Sequence, residues 1–60
     1  MKVETRDYDG IKERVFRGKP QDILRAAAEF VNRNDVEPRS IQAFSVTAET
    51  WRISIFYKEI

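Results

Sequence analysis

Neither cysteine nor histidine occurs anywhere in this sixty-residue chain. The first absence excludes an internal disulfide, and the two together remove the usual ligands of a zinc site. They also remove the commonest general base and the thiol nucleophile. Glycine is nearly as scarce. Gly10 and Gly18 lie far apart in unlike contexts, so no glycine-rich phosphate loop is formed from them. Ser40, Ser45 and Ser54 stand in no motif that would activate a hydroxyl. A catalytic carboxylate pair would have to come from Asp7, Asp9, Glu13 or Glu49, each of which falls in a turn or opposite a basic residue. Solvated charge is the simpler role for them. The sequence therefore argues against an enzyme, and neither a cofactor nor a metal is expected.

Charge of one sign is missing too. Eleven basic and ten acidic residues leave a formal charge of +1. That is neither the basic excess of a dedicated nucleic-acid binder nor the acidic excess of a nucleic-acid mimic. No apolar run approaches the roughly 18 residues that a membrane helix requires. Met1-Lys2-Val3-Glu4 lacks the apolar core of a signal peptide. A protein that remains in the cytosol, away from membranes, is expected.

Size adds a constraint. A chain this short forms one domain, residues 1–60, and buries only about 60% of the surface it exposes when unfolded. With disulfides and metals excluded, oligomerisation is the remaining means of reinforcement.

What is present is a clear pattern of elements. Asp9-Gly10 is a two-residue hairpin signal, since a type I′ turn needs positive φ at both central positions. Closing the turn there sets Tyr8 opposite Ile11, Asp7 opposite Lys12, Arg6 opposite Glu13 and Val3 opposite Phe16. Two charge pairs and two apolar pairs come into register together. Pro20 suits the first position of a helix, and Asp22 its first turn. Ile23, Leu24, Ala27, Phe30 and Val31 then share one helical face. Asn34 is placed to end the helix in the left-handed conformation, and Glu29 is placed to pair with Arg25 and Arg33.

A second hairpin is expected from Ile41–Thr47 and Trp51–Lys58, turning at Ala48-Glu49. In that register Phe44 and Val46 join Trp51, Ile53 and Ile55 beneath the helix. Ile41, Ala43 and Phe56 fall on the opposite face. The fold class is α+β: a β-β-α-β-β order with one helix packed on one face of an antiparallel sheet.

Two surfaces stand out. Ile41, Ala43, Phe56 and Ile60 would form an apolar set with no helix to cover it, which marks a self-association surface and a homodimer as its simplest form. Against this stands the first hairpin folding over that face to close a small barrel. The second surface is basic and aromatic: Tyr8, Lys12, Arg14, Arg17 and Lys19 on a β-ribbon could contact phosphates and stack on bases. The plainer reading pairs Lys12 with Asp7, places Phe16 in the core, and leaves Arg14 and Arg17 guarding a solvated edge. Capture of a small ligand between subunits is a third possibility.

The segments Ala27-Ala28-Glu29-Phe30-Val31-Asn32, Ile41-Gln42-Ala43-Phe44-Ser45-Val46 and Ile53-Ser54-Ile55-Phe56-Tyr57-Lys58 resemble very small helix-plus-hairpin proteins of bacteria and their phages. Some of those are known as sporulation-associated proteins. The resemblance covers about half the chain, rests on apolar spacing and includes no catalytic motif. It implies a compact, oligomeric accessory protein and assigns no functional residue. The expectation from sequence is a small protein-binding regulator or inhibitor of the phage or mobile-element kind, acting as an oligomer. The alternative is a β-ribbon nucleic-acid-binding protein.

Overall fold

The computed structural model describes residues 1–60. Its first turn is the one that Asp9-Gly10 dictates, with φ of 54° at Asp9 and 101° at Gly10. The turn joins β1 (Lys2–Tyr8) to β2 (Ile11–Gly18). Every expected pair of this hairpin is present, from Tyr8 opposite Ile11 to Val3 opposite Phe16.

Helix α1 spans Pro20–Val31, with proline in its first turn and Asp22 near the positive end of its dipole. The Lys19 carbonyl accepts from the amides of Asp22 and Ile23, both at 3.1 Å. Ile23, Ala27 and Phe30 are buried, Val31 is half-buried, and Leu24 remains 54% exposed. The helix does not end as expected. Asn32 is its C-cap at φ −88°, and Asn34 is not left-handed. Nor does Glu29 pair with Arg25 or Arg33; Arg33 instead turns to Asp35, with Nη2 and Oδ2 2.7 Å apart.

β3 covers Val36–Ser45 and β4 covers Trp51–Glu59, so β3 begins well before Ile41. It carries Pro38 and a bulge between Pro38 and Ser40. A proline is tolerated there because β3 is an edge strand: the sheet order is β1-β2-β4-β3, antiparallel throughout. The second hairpin also departs from expectation by one residue. Thr47 Oγ1 accepts from the amides of Glu49 at 3.3 Å and Thr50 at 3.1 Å, and Val46 donates to the Thr50 carbonyl at 2.8 Å. That hydroxyl-centred turn ends β3 at Ser45 and pairs Ser45 with Trp51, Ala43 with Ile53 and Ile41 with Ile55. A one-residue change of register exchanges the faces of a strand. Ile41 and Ala43 thus lie on the helix side, and Phe44 lies on the other, opposite Arg52.

The core is the seam between α1 and the sheet: Phe16, Ile23, Ala27, Phe30, Val36, Ile53, Ile55 and Tyr57. Phe30 anchors it, edge-on to Tyr57 at 4.8 Å between ring centres and tilted against Phe16 at 6.1 Å. Each fully buried aliphatic side chain contributes about 1.5–3 kcal/mol, so single losses here are large for so small a domain. Ile23→Ala is expected to cost about 3 kcal/mol, whereas the adjacent Leu24→Ala should cost about 0.5 kcal/mol or less. Urea unfolding at concentrations where the chain is monomeric reads the difference; equal losses would contradict this placement of α1.

Candidate protein-binding surface

The face of the sheet away from α1 is closed by the chain's own polar side chains. Val15 is 1% exposed there although no element packs over it. Its cover comes from long neighbours. Buried Glu13 accepts a hydrogen bond from Tyr8 Oη at 3.0 Å and another from Ser54 Oγ, and the guanidinium groups of Arg6 and Arg52 lie 3.9 and 4.0 Å from its oxygens. Arg17 and Arg52 both keep a buried Nε without a hydrogen-bond partner. What they supply to this face is mainly the apolar cover of their stems. Phe56 is half-buried in the same layer, its ring centre 6.2 Å from that of Tyr8.

Phe56 therefore does not stand with Ile41 and Ala43 in one exposed set, as the sequence suggested. Its own subunit shields it in part, through Tyr8 of the first hairpin. Ile60 is exposed as well, but it lies at the opposite end of β3 from the Ile41–Ala43 patch, its amide donating to the Asp35 carbonyl at 3.0 Å.

The uncovered apolar surface is on the helix side. A twelve-residue helix rests on β2 and β4, and β3 extends beyond it. Between them runs a groove of about 260 Å³ lined only by apolar side chains. Leu24, Ala28 and Val31 form the helix wall; Ile41 and Ala43 form the β3 wall, above a floor of Ile53 and Ile55. Ile41 is 56% exposed, and Phe44 on the other face 45%. The outer rim of β3 is a free sheet edge, which presents a row of unpaired backbone donors and acceptors. An edge and an adjoining apolar groove together suit addition of a strand from another protein.

The basic set is split: Lys12 and Arg14 share the helix side near Phe30 and Tyr57, and the other members lie elsewhere. Lys12 is ion-paired with Glu59, not with Asp7. Arg14 lies against the Phe30 ring at 4.2 Å, on the helix side. Tyr8 and Arg17 belong to the opposite face, by their pairing with Ile11 and Lys2. Lys19 is exposed ahead of α1. These five residues form no continuous strip.

Sequence reasoning found Ile41 and Ala43 but joined them to the wrong neighbours. Leu24 is exposed rather than core, Val31 packs against the core while lining the groove, and Ala28 completes the helix wall. The available signal was the width of the helical stripe, which exceeds what two strands can cover. No protein-family model, curated protein or solved structure matches this chain.

The buried carboxylate gives the helix-free face a pH dependence. The hydrogen bond from Ser54 holds the Glu13 carboxyl below its ordinary value, assisted by Tyr8, Arg6 and Arg52 and opposed by desolvation. A lowered native value contributes stability that is complete above the unfolded value near 4.5 and is lost as pH falls through the native one. Glu13→Gln should flatten the acid side of the stability–pH curve relative to the parent chain. Urea unfolding between neutral and acidic pH measures both, and parallel curves would refute the assignment.

Proposed function

We propose that this chain is a small protein-binding accessory protein, a regulator or inhibitor, that works as a homodimer assembled through β3. The observation that carries the reading is the coincidence of a free sheet edge with an all-apolar groove on one strand. Composition is consistent with it, since the chain has neither histidine nor cysteine.

β3 also suits pairing with its own copy. Pro38 has no N–H to donate, and Glu37 and Arg39, joined by an ion pair at 3.1 Å, occupy the first half of the strand. Ser40-Ile41-Gln42-Ala43-Phe44-Ser45 has neither charge nor proline. An antiparallel two-fold pair keeps each face continuous only if like faces meet. Centred on Gln42, it sets Ile41 against Ala43 of the second copy and Ser40 against Phe44, large against small each time. Arg39 then faces serine, and no like charges are opposed. The split of Tyr8, Lys12, Arg14, Arg17 and Lys19 between faces leaves the β-ribbon nucleic-acid reading without comparable support.

Light scattering across a concentration series should show the mass doubling, and Ile41→Lys should hold the chain monomeric with its fold intact. In a chain free of cysteine, Gln42→Cys should form an intersubunit disulfide under mild oxidation, and Glu37→Cys should not. A strict monomer at high concentration would overturn the dimer. Doubling without the Gln42→Cys cross-link would overturn only this register.

A further inference from the structure

Strand order brings three cations into line on the helix-free face. Lys2 stands opposite Arg17, Arg17 opposite Arg52, and Arg52 opposite Phe44, one residue from each strand. The row crosses the sheet at right angles to the strands and spans about 14 Å, three strand spacings. Like charges directly opposite one another weaken a sheet. Here they are opposed twice in succession.

The neighbouring acids do not balance the row. Glu4 lies 3.4 Å from Lys2 and 3.6 Å from Arg6, and Glu13 lies 3.9 Å from Arg6 and 4.0 Å from Arg52. Arg17 makes no ion pair and acts on Glu4 only at longer range. Four cations thus share two carboxylates, and Glu13 also accepts hydrogen bonds from Tyr8 and Ser54. The Nε of Arg17 and that of Arg52 are buried with no hydrogen-bond partner. Arg17 is half-buried and the Arg52 side chain is 25% exposed, so the row is open to a ligand laid on the sheet. At its β3 end Phe44 is 45% exposed, with the Arg52 guanidinium carbon 5.4 Å from its ring centre. Arginine forks match the oxygens of a phosphate, and exposed aromatic faces stack on bases.

We propose that this row binds a nucleotide, with Arg17 and Arg52 taking its phosphate, Lys2 adding charge, and Phe44 stacking on its base. The occupant is a free nucleotide or one unit of a single strand laid across the sheet, since both present the same phosphate beside the same flat ring. An acidic peptide would engage the cations and leave Phe44 unused. Only Arg17 belongs to the β-ribbon set read from the sequence. Lys2, Arg52 and Phe44 join it through strand order alone. The α1–β3 groove takes no part, so the site stands apart from the proposed dimer.

The test follows backbone amide and arginine Nε–H signals by NMR at low salt. The probes are AMP, a short single-stranded oligoadenylate, inorganic phosphate and a short polyglutamate. AMP and the oligoadenylate should shift the Arg17 and Arg52 Nε–H signals and the Phe44 amide saturably. Phosphate and polyglutamate, which have no base to stack, should need concentrations about ten-fold higher. Saturation by AMP at the lower nucleotide concentration identifies a free nucleotide; saturation by the oligoadenylate first identifies a single strand. Phe44→Ala should weaken both about ten-fold and leave phosphate unchanged, whereas Arg17→Gln should weaken all three together. Should Arg17→Gln fail to fold, Lys2→Gln, at a side chain 70% exposed, should weaken oligoadenylate binding within a native spectrum. Three results would overturn the site: no response to AMP or oligoadenylate at millimolar concentration, phosphate or polyglutamate binding as tightly as they do, or Phe44→Ala leaving their affinity unchanged.

Discussion

The fold depends on a single contact surface, the seam between one three-turn helix and two strands of a four-stranded sheet. Ile23, Ala27 and Phe30 meet Phe16, Ile53, Ile55 and Tyr57 there, and most of the core lies within it. A helix is about 10 Å across and strands are spaced about 4.8 Å apart, so one helix covers roughly two strands. The outer strands are left over. β1 needs little cover because its side chains are mostly charged or polar. β3 carries Ile41, Ala43 and Phe44, and these remain in solvent.

The two faces of the sheet solve the shortage of cover differently. On the face without a helix, arginine side chains flank Val15 and Tyr8 packs beside Phe56, with Glu13 at the centre of the polar contacts. Charged side chains of both hairpins, Glu13 with Arg6, Arg17 and Arg52, thus help to close this side. The helix-bearing face, which has the better apolar residues, is the one left incomplete. A shortage of core on one side need not imply an exposed apolar side.

Much of the architecture was legible because local chemistry agrees with the global pattern. Asp9-Gly10 admits only one sensible hairpin register, and cross-strand pairs from Val3–Phe16 inward confirm it. Pro20 and Asp22 mark the helix start without ambiguity. The second hairpin was harder. Its register rests on Thr47 Oγ1 collecting two amides, and nothing in the apolar spacing separates that turn from a two-residue one at Ala48-Glu49. One residue of difference moved Ile41 and Ala43 across the sheet and Phe44 back. The charge partners were also hidden. Lys12 finds Glu59, far away in sequence, in preference to its cross-strand neighbour Asp7, a choice made by strand order and not by hairpin geometry.

The two borders of the sheet are unlike. Along β1, Lys2, Glu4 and Arg6 form a chain of ion pairs at 3.4 and 3.6 Å, and a hydrated charged border of this kind repels an incoming strand. Along β3, the kink at Pro38 spoils one half and leaves a short uncharged half. Head-to-tail stacking, the route to endless fibres, would need border β1 to accept border β3. The mismatch of the two borders disfavours that route.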